Sequence, residues 1–321
     1  MSDDRAAAPL DYDPGLVEEA VFLALRSHAQ APALAPSFHS QREALYELSD
    51  PEERERGFQS LCGSWFVRLG LGRPIEQALR EQPLISSGVR SCAVGRALRG
   101  KDEGAELFVG GDAGQAADRE RRVVRLLLRP EAFLAPENLL GFLRHEMLHV
   151  SDMLDPAFGY EPVLSATPGA PSHDRLLQDR YRVLWDTTIS GRMVRRGWAP
   201  CSVRAERLRE FTRVFPMLGG EAGEVFARFF EGGPHTHAEL ASFACDPAAT
   251  PFTGGRPRRD GRCPLCRLPS YAFVQDPARL PVQALAAISR DFPHWLPSHG
   301  ICQQCADLYL TASRAAEQQS T

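Results

Sequence analysis

Two pairs of cysteines, Cys263 and Cys266 in CPLC and Cys302 and Cys305 in CQQC, constrain the fold of this chain more than any other feature. Each pair presents two thiolates from one tight turn, and four thiolates complete a closed tetrahedral Zn2+ shell with no position left for substrate. The 35 residues between the pairs, 267–301, must then close into a loop around one structural ion. A redox CxxC needs a single pair, so two pairs favour metal.

The rest of the chain is long enough to bury a core. It has 321 residues, 43% of them hydrophobic, which fits one large domain plus a small one. A formal net charge of -4 marks the whole molecule neither as a nucleic-acid binder nor as a membrane-surface protein. The start, MSDDRAAAPLDYDPG, lacks a basic segment followed by an apolar run, and no stretch approaches the ~18 apolar residues of a membrane span. A cytoplasmic protein that avoids membranes is the expectation. Cys62, Cys92, Cys201 and Cys245 stand singly and read as small buried hydrophobes.

Periodicity divides the chain into an α+β domain over 1–245, an Arg- and Gly-rich linker over 246–262 and the cysteine module over 263–321. Residues 15–80 repeat apolar positions at helical spacing, and SDPEERE starts a helix with Ser49 or Asp50 as cap. Within 88–155, the segments VRSCAVGRAL, AELFVGG and RRVVRLLLRP predict three strands of a small antiparallel sheet. The apolar run APENLLGFLRHEMLHVSDML then predicts a buried helix that stops at Asp155-Pro156. A Pro/Gly/Ser-rich loop leads to a long helix from about His173 to Arg196, with Ser172 as cap, and further helices run to residue 245.

HEMLH, residues 145–149, lies in that buried helix. Residues i and i+4 share a helix face, so His145 and His149 can present ring nitrogens to one Zn2+. Glu146 then serves as general base towards water whose pKa the ion lowers. Two histidines and a glutamate are expensive to bury without such a role. A hydrolytic zinc takes a third protein ligand, and three side chains compete for the place. His173 is favoured because it projects on the apolar side of its helix with Leu177, Tyr181 and Leu184. Asp186 follows on the same helix, but Arg175, Asp179, Arg182, Asp186 and Ser190 form an i,i+4 stripe that reads as a solvated face. Asp155 stands six residues after His149, with Asp152 where a turn-making glycine would be needed. His173 and Asp186 lie about 20 Å apart on one helix, so they cannot share an ion. Asp152 is a candidate to orient a histidine ligand.

The layout resembles the zincin metallopeptidases, and among them the SprT-like (Spartan-type) group. In that group a small sheet leads into HEM(x)H, here His145, Glu146, Met147 and His149, a further histidine opens the next helix, here His173, and a zinc ribbon closes the chain. The cysteine module is likewise similar to a treble clef or zinc ribbon. The loop before His173 is longer than in that group, SDMLDPAFGYEP is not its signature, and the N-terminal helices have no counterpart. The resemblance implies a zincin-like helical domain and a metallopeptidase with one catalytic and one structural Zn2+, acting on a protein or peptide. The alternative is a non-catalytic zinc-binding scaffold or adaptor. Arg256, Arg258, Arg259 and Arg262 could contact nucleic acid, although such a run more often forms a solvated linker. HTHAEL, with His235 and His237, suits a helix start capped by Thr236 better than another metal site.

Overall fold

The computed structural model describes residues 8–27, 31–110, 118–164, 171–247, 261–270, 272–274 and 276–318. The chain forms two compact units, Met1–Pro156 and Ala157–Thr321. The fold class is α+β, mostly helical with one small sheet.

The first unit begins with strand β1 (Leu10–Tyr12) and helices α1 (Pro14–Ser27), α2 (Ala31–Leu45), α3 (Pro51–Arg68), α4 (Arg73–Arg80) and α5 (Pro83–Gly88). Asp50 caps α3, its carboxylate accepting the Glu52 N–H at 3.1 Å. Strands β2 (Ser91–Arg96) and β3 (Gly104–Val109) follow, then the short helix α6 (Asp118–Arg121), strand β4 (Arg122–Leu128) and helix α7 (Pro136–Leu154). The strand order is β1-β2-β4-β3. β1 and β4 pair with β2 in parallel, and β3 pairs with β4 antiparallel. The sheet is therefore mixed and not antiparallel, and β1 adds a fourth strand to the three expected. The Gly-bounded connections suggested hairpins, but a turn signal shows that the chain reverses without showing which strands then pair. β4 inserts between β2 and β3 and takes the parallel partner.

Alternation along the strands builds the core. Cys92 and Val94 of β2 and Val124, Leu126 and Leu128 of β4 are fully buried, with Leu107 of β3 opposite Val124. They belong to one cluster with Leu139, Leu143 and Met147 of α7, so the sheet supports the helix that carries the HEMLH stretch. Arg144 fixes that helix to α4 through a forked ion pair with Glu81, at 2.8 Å from Nε to Oε2 and 2.6 Å from Nη2 to Oε1.

The second unit contains α8 (Pro171–Arg195), α9 (Val203–Val214), α10 (Ala222–Glu231) and α11 (His237–Cys245). It continues with the two-residue strands β5 (Gly261–Arg262) and β6 (Pro269–Ser270) and with helices α12 (Val282–Asp291) and α13 (Gln303–Gln318). Helices α8 to α11 thus group with the cysteine module. One physical reason is that Leu176 of α8 packs on the module's own apolar cluster. Most of the expected linker, 248–260, lies outside the described residues. Helix α8 changes character along its length: Arg175, Asp179 and Arg182 are exposed, but every residue from Val183 to Gly191 is buried. At Gly191 a Cβ would fall 1.8 Å from the Phe230 carbonyl oxygen, so only glycine allows the backbones of α8 and α10 to approach this closely. Thr236 caps α11 in a reciprocal box with Glu239, as its sequence predicts.

Candidate metal centres

His145 and His149 lie one turn apart on α7, with ring centroids 4.9 Å apart and planes at 72°. Glu146 sits beside them. One of its carboxylate oxygens, Oε1, is 3.2 Å from His145 Nδ1, and the other, Oε2, accepts the Ala105 N–H of β3 at 3.1 Å. Burial pushes the Glu146 carboxyl up, but the hydrogen bonds from His145 and Ala105 and the two nearby imidazoles together hold it below its ordinary value. The outcome is a carboxylate that stays charged although it is only half exposed to solvent at most, poised at the edge of the sheet. Asp152 is buried at 6% exposure, and Asp155 ends the helix with its N–H bonded to the carbonyls of Ser151 and Asp152.

Of the competing third ligands, the His173 side chain lies outside the described residues, although its backbone opens α8. Asp186 departs from the expectation of a solvated face. It is 6% exposed and receives Arg182 at 3.2 Å and Arg207 at 3.9 Å. Ser190 is buried as well and accepts a hydrogen bond from Arg207 Nε at 3.0 Å. The i,i+4 pattern was sound as far as Arg182, but α9 covers the rest of the stripe. The burial of Asp186 left a trace in the sequence, since Val183, Leu184, Trp185 and Ile189 surround it at positions that leave little of the wheel polar. His237 belongs to no metal group among the described residues. It is buried, and its Nδ1 lies 2.7 Å from the Tyr181 hydroxyl.

The four cysteines converge. Cys263, Cys266, Cys302 and Cys305 are all buried, and their sulfurs lie within 4.8 Å of one another. The Cys263 and Cys305 sulfurs are 3.9 Å apart, as are those of Cys266 and Cys302. These separations are far too long for disulfides, whose sulfurs lie about 2.05 Å apart. They match the edge of a tetrahedron with Zn–S bonds of about 2.3 Å, roughly 3.8 Å. The first knuckle closes through Arg267 N–H to the Cys263 carbonyl at 2.7 Å, with Arg267 itself in the left-handed region at φ 59°. In the second, the Cys305 N–H points at the Cys302 sulfur, and the Cys302 N–H at the Cys263 sulfur, both at 3.4 Å. Hydrogen bonding among the sulfurs pulls the Cys263 and Cys302 thiols down and pushes Cys266 and Cys305 up. The donor set and its spacing fit a structural zinc ion.

The remaining expectations resolve unevenly. Cys62 and Cys92 are buried, whereas Cys201 is exposed and Cys245 intermediate, because Cys201 stands in the turn before α9. Arg256, Arg258 and Arg259 lie outside the described residues, and Arg262 is exposed with its guanidinium on the Arg267 carbonyl at 3.1 Å. Among the described residues no helix is long and apolar enough to cross a membrane. No protein-family model, characterised protein or solved structure matches this chain.

Proposed function

We propose that the protein is a zinc-dependent hydrolase acting on peptide bonds, with His145 and His149 of α7 holding the catalytic ion and Glu146 as general base. The observation that carries this reading is the pairing of two imidazoles one turn apart on α7 with a charged, half-buried carboxylate between them. Two imidazoles one turn apart on a helix are donors that zinc accepts in a hydrolytic site, which takes a third protein ligand and leaves a position for water. A zinc ion bound there would supply Lewis acidity, lowering the pKa of a bound water towards neutral. The chain's residues do the rest. Glu146 Oε takes the proton of the attacking water and returns it to the leaving amine. Its bond to the Ala105 N–H keeps the carboxylate oriented until substrate arrives. A peptide suits this position because β3 is an edge strand of the sheet, and an extended backbone can add to such an edge.

The test is metal content per chain followed by peptidase assay. Wild type is expected to hold two zinc ions, and His145→Ala and Cys263→Ser one each. His149→Ala should behave like His145→Ala. Glu146→Gln should retain both and lose about 10²–10⁴-fold in turnover. A Glu146→Gln protein that keeps its zinc and cleaves as fast as wild type would sink the catalytic reading and leave a zinc-bearing scaffold.

A further inference from the structure

The sheet of the first unit has two faces, one of which packs on the core. Leu10 and Tyr12 of β1, Cys92 and Val94 of β2 and Val124 and Leu126 of β4 share that core with Leu139, Leu143 and Met147 of α7. Side chains alternate along a strand, so Asp11, Ala93 and Arg125 project from the opposite face. The register sets these three in one row across the sheet, Asp11 beside Ala93 and Ala93 beside Arg125. A cavity of about 430 Å³ opens over the row, within the range of about 300–1,000 Å³ typical of small-ligand sites.

The cavity carries opposite charges on two sides and an apolar wall. Asp11 borders it from β1 and Arg125 from β4, and the small residues Ala93 and Gly95 of β2 leave the floor between them without bulk. Both charged side chains are exposed, and neither forms an ion pair among the described residues. Asp13, the other acid at the cavity, is already engaged: its carboxylate caps α1 by accepting the Leu16 N–H at 2.7 Å. Glu106 of β3 stands in the same row on the far side of Arg125 and does not border the cavity. Phe108, 47% exposed, and its cross-strand partner Val123 supply the apolar wall.

We propose that this cavity binds a free α-amino acid with an apolar side chain, its carboxylate on Arg125, its ammonium on Asp11 and its side chain against Phe108 and Val123. The spacing selects the length of the ligand. β1 and β4 flank β2, so Asp11 and Arg125 stand about 9.6 Å apart, twice the spacing of about 4.8 Å between neighbouring strands. Side chains in a strand stand roughly perpendicular to the sheet, which carries that separation up to the charged groups. Two charge-assisted hydrogen bonds of about 2.8 Å take up about 5.6 Å of it. The remaining gap of about 4 Å suits one residue, which spans about 3.5 Å, and is too short for the roughly 7 Å of an extended dipeptide. A ligand with a single charge leaves Asp11 or Arg125 unmatched. The site lies on the face turned away from α7, so it goes beyond the hydrolytic reading and does not depend on it.

The test is a ligand-observed NMR titration of the full chain with L-leucine, L-phenylalanine, phenethylamine, 3-phenylpropionate and leucyl-leucine. Both amino acids are expected to bind saturably, and the two single-charge analogues at least tenfold more weakly than phenylalanine. Arg125→Met should weaken phenylalanine at least tenfold while leaving phenethylamine within about twofold. Asp11→Asn should weaken phenylalanine as much while sparing 3-phenylpropionate, a crossed pattern that a general loss of structure would not give. Ala93→Leu, which raises the floor of the cavity, should weaken every ligand. Should Ala93→Leu fail to fold, the Asp11 and Arg125 variants decide, since both side chains are exposed. The absence of saturable binding by either amino acid up to about 10 mM, a concentration that detects affinities of about 4 kcal/mol, overturns the proposal. So does binding that Arg125→Met and Asp11→Asn both leave within twofold, which would place the ligand elsewhere. Leucyl-leucine bound more tightly than leucine would show a site built for a longer zwitterion and overturn the assignment to a free amino acid.

Discussion

Breaking the Glu81–Arg144 pair tests whether α7 is held in place by charge as well as by its apolar face. The side chains are 15% and 21% exposed, for Arg144 and Glu81 respectively, and two charge-assisted hydrogen bonds of 2.6 and 2.8 Å join them in a fork. Removing one partner leaves a charge with little access to water, which costs about 3 kcal/mol, the low end of the range because some water does reach the pair. Replacing both with apolar residues, Glu81→Leu with Arg144→Met, removes the stranded charge. The double variant should then lose less than either single, where two uncoupled changes would sum to about 6 kcal/mol. Hydrogen exchange of the slowest amides of α7, followed by mass spectrometry, reports the opening free energy of the first unit alone. Each single variant should speed that exchange about a hundredfold, since 1.4 kcal/mol is a factor of ten. The effect should persist at 1 M salt, where surface pairs are screened within about 3 Å. Single variants that exchange within twofold of wild type, or a double variant equal to the sum of the singles, would refute the reasoning.

Gly191→Ala should destabilise the second unit by at least about 3 kcal/mol, because its Cβ meets backbone and not a movable side chain. Gly223→Ala in α10, where a Cβ meets nothing within 4 Å, should gain up to about 1 kcal/mol, and thermal melts of the two variants give the comparison. His237 supplies a pH prediction. Burial lowers its pKa, against a smaller opposing pull from Glu161. The unfolded chain therefore binds a proton more readily than the folded one. Stability should be unaffected by this group above about pH 6.5, the ordinary histidine value, and should fall as the pH drops from there through the lower folded value. His237→Gln should flatten that slope in denaturation curves taken between pH 7 and 5, and an unchanged slope would assign it to another group.

The cysteine module was legible because ligand spacing is a local property. Two CxxC turns must converge if they share an ion, and they do so whatever lies between them. Helices α3, α7, α8 and α11 were legible from periodicity and caps, with boundaries within a few residues. Strand pairing was not, because it depends on residues far apart. The three residues of β1 carry no periodic signal, and their partner Cys92 lies eighty-two positions beyond Leu10. Asp186 was misjudged for a related reason. A helical wheel weighs the neighbours on one helix, but Arg207 and the rest of α9 decide whether that face meets water. The burial of Arg180, which is 1% exposed, was beyond the sequence altogether, since an arginine among 37 basic residues gives no sign that it is the buried one.

The uninterrupted burial from Val183 to Gly191 also bears on how the chain is made. A nascent chain leaves the ribosome from its N-terminus, so this stretch emerges before α9, α10 and α11 exist to cover it. Until about fifty more residues have been added, at roughly 5–20 residues per second, it offers a sticky surface for several seconds. Slower translation over 195–245, or binding of a chaperone to that interval, should therefore govern the yield of active protein more than its final stability does.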